Sequence, residues 1–147
     1  MTKSSMTLDE LLKILSDLSC EYEVHEVEGE NARWIECDLF DAEFMIFPWG
    51  PGPFYQDFSF ETIRTPELDP ETMCTQFNKQ HSFATAIPFD LNEFSDDDTS
   101  DIVIAIRREV SIEGGVSDEF LLNTITLWAG MLLSTEGFFE GKPADAE

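Results

Sequence analysis

The chain has 147 residues, 42% of them apolar, and its eight basic residues face 31 acidic ones for a formal net charge of −23. That length fits one ordinary domain, which buries roughly 68–70% of its unfolded surface without metal or disulfide staples. The charge opposes nucleic acid and anionic membranes as partners, because both are held through Lys and Arg.

The first element read along the chain is a helix. Thr7-Leu8-Asp9-Glu10 has the form of a capping box, with Thr7 as N-cap and Glu10 reaching back to it. Leu8, Leu11, Leu12, Leu15 and Leu18 then recur at the spacing of one helical face, up to Ser19-Cys20. A half-exposed edge strand follows, with Tyr22, Val24 and Glu26 alternating against Glu21, Glu23 and His25. Glu28 to Asn31 is expected to turn the chain. In the next strand, Arg33 to Phe40, Ile35, Cys37 and Leu39 face one way and Glu36 and Asp38 the other. Residues 40–43 are expected as a second turn, before a short strand over 44–47. Pro48-Trp49-Gly50-Pro51-Gly52-Pro53 is expected to end the ladder, since proline lacks a donor. A fourth strand runs through Phe54, Phe58 and Phe60 toward Ile63.

Asp69 and Pro70 form a favoured N-cap and N1 pair for a middle helix. Met73, Cys74 and Phe77 are on its apolar side, and it fades near Gln80-His81. Two further strands are expected. The first sets Phe83, Thr85, Ile87 and Phe89 on one face. The second lines Ile102, Ile104, Ile106, Val110 and Ile112 along one face, interrupted by Arg108. The acidic stretch between them, residues 93–101, reads as a solvated loop. Gly114-Gly115 ends the strand, and Ser117 caps a last helix whose Asp118 and Glu119 suit its dipole.

In this last helix, about 118–136, the apolar side chains from Phe120 to Leu133 sweep an arc of about 240° at 100° per residue. A helix lying on a sheet needs a stripe of only ~100°. More than one layer should therefore cover it, the sheet and either the first helix or a second subunit; for the second subunit, Leu121, Ile125, Trp128 and Leu132 are the candidate partner or dimer interface. The whole is an α+β single domain over 1–147, with residues 1–5 and 140–147 frayed. Its antiparallel sheet has five or six strands, and its helices lie at the N-terminus, the middle and the C-terminus.

Little here points to chemistry. Glu21, Glu23 and His25 share a strand face and could hold a metal as part of a sensor or enzyme. A charged outer face that blunts an edge strand accounts for them as well, and is the expectation taken. His81 suits the negative end of a helix. Cys37 and Cys74 read as small core residues. Cys20, Cys37 and Cys74 form no C-x-x-C pair, which fits a reducing compartment. Gly50-Pro51-Gly52 lacks the N–H groups of a phosphate cradle. No enzyme, cofactor or metal is expected. Met1–Met6 has no signal-peptide core, and the apolar run Leu127–Leu133 falls far short of the ~20 residues of a membrane span, so the cytoplasm is expected.

Two stretches carry a family resemblance. Glu71-Thr72-Met73-Cys74-Thr75-Gln76-Phe77-Asn78 resembles the middle helix, with its Asn-containing end, of the YbjN family of proposed bacterial sensory-transduction regulators. Asp101 to Val116, running into Ser117-Asp118-Glu119-Phe120-Leu121, resembles that family's alternating strand, Gly-Gly-Val turn and long apolar helix. The resemblance implies a fold similar to type III secretion chaperones. It also implies a non-enzymatic, dimeric protein-interaction module, with Asn78 bridging the helix end and Gly114-Gly115 as a backbone turn.

Overall fold

The computed structural model describes residues 2–26, 33–90 and 102–138. The expected turn at 28–31, the acidic loop at 93–101 and the tail from 140 lie outside the described residues. The elements are β1 (Thr2–Lys3), α1 (Leu8–Asp17), β2 (Glu21–Glu26), β3 (Arg33–Leu39), β4 (Ala42–Trp49), β5 (Asp57–Arg64), α2 (Pro70–Gln80), β6 (Thr85–Asp90), β7 (Ile102–Ser111), β8 (Val116–Ser117) and α3 (Asp118–Thr135). A short 3-10 turn, Glu136–Phe138, follows. The six-stranded antiparallel sheet has the order β2-β3-β4-β5-β7-β6, and β1 and β8 form a separate small sheet. The chain falls into two compact units, residues 1–60 with 109–133 and residues 61–108 with 134–147.

In the first unit, the capping box at the start of α1 is formed in both directions: Glu10 N–H donates to Thr7 Oγ1, and Thr7 N–H donates to the Glu10 carboxylate. Leu11, Ile14 and Leu15 are its buried side chains, and the helix stops where Ser19 takes φ 60°. Strands β2, β3 and β4 form a meander with Tyr22 opposite Cys37, Ile35 opposite Ile46, and Cys37 opposite Phe44. That register puts Ile35, Cys37, Leu39, Phe44 and Ile46 on one buried face. Trp128 of α3 packs against this layer, edge-on to Phe44 at 6.2 Å and tilted over Phe60 at 5.9 Å. Aromatic pairs of this geometry add about 0.5–1.5 kcal/mol beyond burial alone. Ser117 Oγ accepts from Phe120 N–H and so caps α3 as expected.

Four local differences appear in this unit. The β3–β4 turn is only two residues, Phe40-Asp41, both with positive φ, so Ala42 already belongs to the strand. Pro48 does not end β4, which runs on to Trp49; a proline fits near a strand end, where one donor less is tolerated. Thr2 and Lys3 are not frayed: they pair with Ser117 and Val116. Phe54, read as part of the fourth strand, is an exposed loop residue, whereas Phe58 and Phe60 are buried. Gly52 has φ +65°, and a Cβ there would come within 2.5 Å of the Tyr55 hydroxyl, so the position demands glycine.

In the second unit, Asp69 Oδ2 accepts from Thr72 N–H and caps α2, whose buried residues are Met73, Cys74 and Phe77. The face reading of β6 is reversed. Ala84 and Ala86 are buried while Ile87 and Phe89 are exposed, because the register sets Ala86 opposite the buried Ile106.

Candidate functional site

The face of β2–β3–β4 opposite the core is acidic. Glu21, Glu23 and His25 alternate out of β2 because Tyr22 and Val24 turn toward the core-side partners Cys37 and Ile35. The antiparallel register then sets Glu21 opposite Asp38, Glu23 opposite Glu36, and His25 opposite Trp34. One strand further in, Asp38 stands opposite Glu43. Like charges directly opposed across strands repel, so this face carries an unfavourable electrostatic arrangement that burial does not explain.

At the centre of that face, side chains converge. The Trp34 indole stacks on the His25 imidazole at 5.2 Å and 12° and so sets the ring plane. His25 Nε2 lies 3.4 Å from Glu36 Oε2 and 4.0 Å from Glu23 Oε2. Ligand atoms of all three residues fall within 4.8 Å of one another. His25 Nε2 is itself sealed from solvent and makes no hydrogen bond among the described residues.

Of the residues singled out from sequence, Glu23 and His25 thus meet, and Glu21 is not part of the group. Its place is taken by Glu36, which strand alternation puts on the outer side but only the β2–β3 register puts beside His25. His81 lies at the end of α2, its ring packed at 4.5 Å on Phe77. Cys20, Cys37 and Cys74 are all free thiols in buried positions. A hydrogen bond with Cys20, together with burial, pushes the Cys37 thiol up, and burial does the same for Cys74.

The expected interface residues are corrected by the structure. Leu121, Ile125, Trp128 and Leu132 are buried within the chain, Trp128 entirely so, and side chains already packed at home offer no free surface. The apolar side chains that α3 does present are Phe120, 46% exposed, Leu127, 62%, and Leu133, 40%. At 100° per residue they flank an exposed arc of about 140° centred on Asn123 and Gly130. The wide apolar circumference is real, but its middle is packed within the chain and only side chains at its edges are presented.

No family model matches this chain, and no curated protein does. A solved structure does: YbjN, a proposed transcription regulator from E. coli, superposes with a TM-score of 0.57 over 90% of this chain and 92% of its own, at 15% sequence identity. The fold is YbjN-like. The resemblance read from Glu71–Asn78 and from Asp101–Leu121 therefore agrees with a solved structure in fold over nearly the whole length. Asn78 sits in the YbjN-like fold as a bridge, its side-chain amide bound to the main chain of Ala86. No helix among the described residues is long and apolar enough to cross a membrane.

Proposed function

We propose that this chain is a non-enzymatic protein-interaction module of regulatory or chaperone-like type. It works in the cytoplasm and pairs with a second copy of itself through the exposed face of α3. The observation that carries the reading is the outward placement of Phe120, Leu127 and Leu133 on a helix whose other side is fully packed. Water contact of three large apolar side chains on one element is relieved by a partner that covers them. Gly130 lies within that arc with open space where a Cβ would stand, which permits close approach of another helix. A two-fold axis through such a face makes the same patch serve both copies. The YbjN-like fold supports a regulatory role. The net charge of −23 argues that regulation runs through protein rather than through direct contact with nucleic acid.

Sedimentation velocity over a concentration series tests this. The expected mass is twice 16.7 kDa, falling to the single-chain value in Leu127→Lys with an unchanged circular dichroism spectrum. A wild-type chain that stays at 16.7 kDa at the highest concentration, with no protein partner bound through α3, would sink the reading.

A further inference from the structure

We propose that Glu23, His25 and Glu36 form a binding site for a divalent first-row transition cation, with Zn²⁺ as the reference ion. The site lies on the outer sheet face and does not depend on pairing through α3. Three observations converge on it.

The donor set comes first. One imidazole nitrogen and two carboxylates are the ligands that zinc accepts, at about 2.0–2.2 Å each. At those bond lengths, tetrahedral geometry sets neighbouring ligand atoms about 3.4 Å apart. The observed His25 to Glu36 separation is 3.4 Å and His25 to Glu23 is 4.0 Å. Glu23 and Glu36 have side chains 75% and 55% exposed, so their carboxylates can swing inward by rotation alone. Three protein ligands leave a fourth position for water or for a donor atom of another molecule.

The state of the histidine comes second. Its Nε2 is closed off from solvent and, with only the Glu36 and Glu23 carboxylates beside it, makes no hydrogen bond among the described residues. A cation bound at that nitrogen satisfies the lone pair. Stacking on Trp34 restrains the orientation of the ring.

Third, Glu23 and Glu36 are directly opposed in register. A dication between them turns a cross-strand repulsion into two attractions, and the acidic flank formed by Glu21, Asp38 and Glu43 favours any cation there. The imidazole disfavours magnesium and calcium, which prefer all-oxygen sites.

The test is isothermal titration of the chelator-treated full chain with ZnCl₂, with the imidazole signals followed by NMR. Saturable one-to-one binding is expected, with the His25 ring signals shifting and those of His81 still. His25→Gln and Glu36→Gln should each weaken binding by about tenfold to a hundredfold or more, a ligand being worth at least as much as the outer-shell partners of known sites. His81→Gln should leave it unchanged, Glu21→Gln, which only thins the acidic flank, should weaken it far less than loss of a ligand, and magnesium at the same concentration should not compete. Either of two results overturns the proposal: no saturable zinc binding, or binding whose affinity survives His25→Gln. The second would assign the ion to the diffuse acidic surface. Glu36→Gln guards against misfolding as an explanation, since it alters an exposed side chain and keeps its size.

Discussion

Asn78 holds both main-chain groups of Ala86: its Nδ2 donates to the Ala86 carbonyl at 3.0 Å, and its Oδ1 accepts from the Ala86 N–H at 2.8 Å. Ala86 lies on β6, the last strand of the sheet, where outward N–H and C=O groups have no neighbouring strand among the described residues. The α2 helix end thus closes one rung of the sheet edge. Asn78→Ala leaves both groups unpaired in a partly buried place and should cost about 1–3 kcal/mol. Asn78→Asp keeps the acceptor, removes the donor and sets a carboxylate against the carbonyl, so it should be no milder. Urea unfolding measures both; a loss below about 0.5 kcal/mol in each would show that solvent replaces the bridge.

The turn at Phe40-Asp41 is built from two non-glycine residues with φ of 57° and 69°. Two-residue hairpins of this kind favour Asn-Gly, because the left-handed region costs an ordinary residue roughly 1–2 kcal/mol. Replacing the pair with Asn-Gly should therefore stabilise the protein by about 1 kcal/mol, with glycine's unfolded-state entropy offsetting part of the gain. Phe40 is 58% exposed, so little burial is lost. A lower urea midpoint in the variant would mean that Phe40 makes contacts worth more than the strain it bears.

The same turn shows why part of the fold was legible in the sequence and part was not. Periodicity carries the elements: the α1 capping box, the Asp69-Pro70 start of α2 and, from Ile104 onward, the alternation of β7 are local signals that local physics obeys, whereas Ile102 is exposed and Val103 buried. Faces and edges depend on partners. Alternation in β6 favours Ile87 and Phe89 as core residues, yet its pairing with β7 buries Ala86 instead. The apolar side chains of α3 run well beyond one stripe, so composition alone could not tell Trp128, packed on Phe44 and Phe60, from the exposed Leu127 at the edge of that arc. Glu36 was missed as a neighbour of His25 for the same reason: strand register, not strand pattern, brings them together.

Lys3 joins two helix starts, its ammonium 3.0 Å from Glu10 of α1 and 3.0 Å from Asp118 of α3. The hydrogen bond from Lys3 holds the Glu10 carboxyl below its ordinary value of 4.5, and the bonds to Glu10 and Asp118 hold Lys3 above 10.5. The signs follow from linkage. A depressed carboxylate contributes stability that is present above 4.5 and lost as pH falls through its lower folded value. A raised ammonium contributes below 10.5 and loses that stability as pH rises through its higher folded value. Lys3→Met should thus cost a constant amount between those limits, about 0.2–1 kcal/mol because the groups are partly solvated. The cost should shrink under acid and in high salt. A difference from wild type that grows as pH drops below 4 would contradict this arrangement.

Asp38 faces Glu21 on one side and Glu43 on the other, three carboxylates in a row across adjacent strands. Directly opposed like charges cost a sheet on the order of 0.2–1 kcal/mol per pair, through a field that salt screens within about 10 Å at 0.1 M. Asp38→Asn keeps the side-chain volume and removes the middle charge, so it should raise stability by tenths of a kcal/mol to about 1 kcal/mol at low ionic strength. The gain should fade as sodium chloride approaches 1 M, where screening reaches about 3 Å. The salt dependence separates this from any change in packing or hydrogen bonding, which would persist at high salt. A variant less stable than wild type at every salt concentration would mean that the Asp38 carboxylate is held by an attraction stronger than the repulsion on its two flanks.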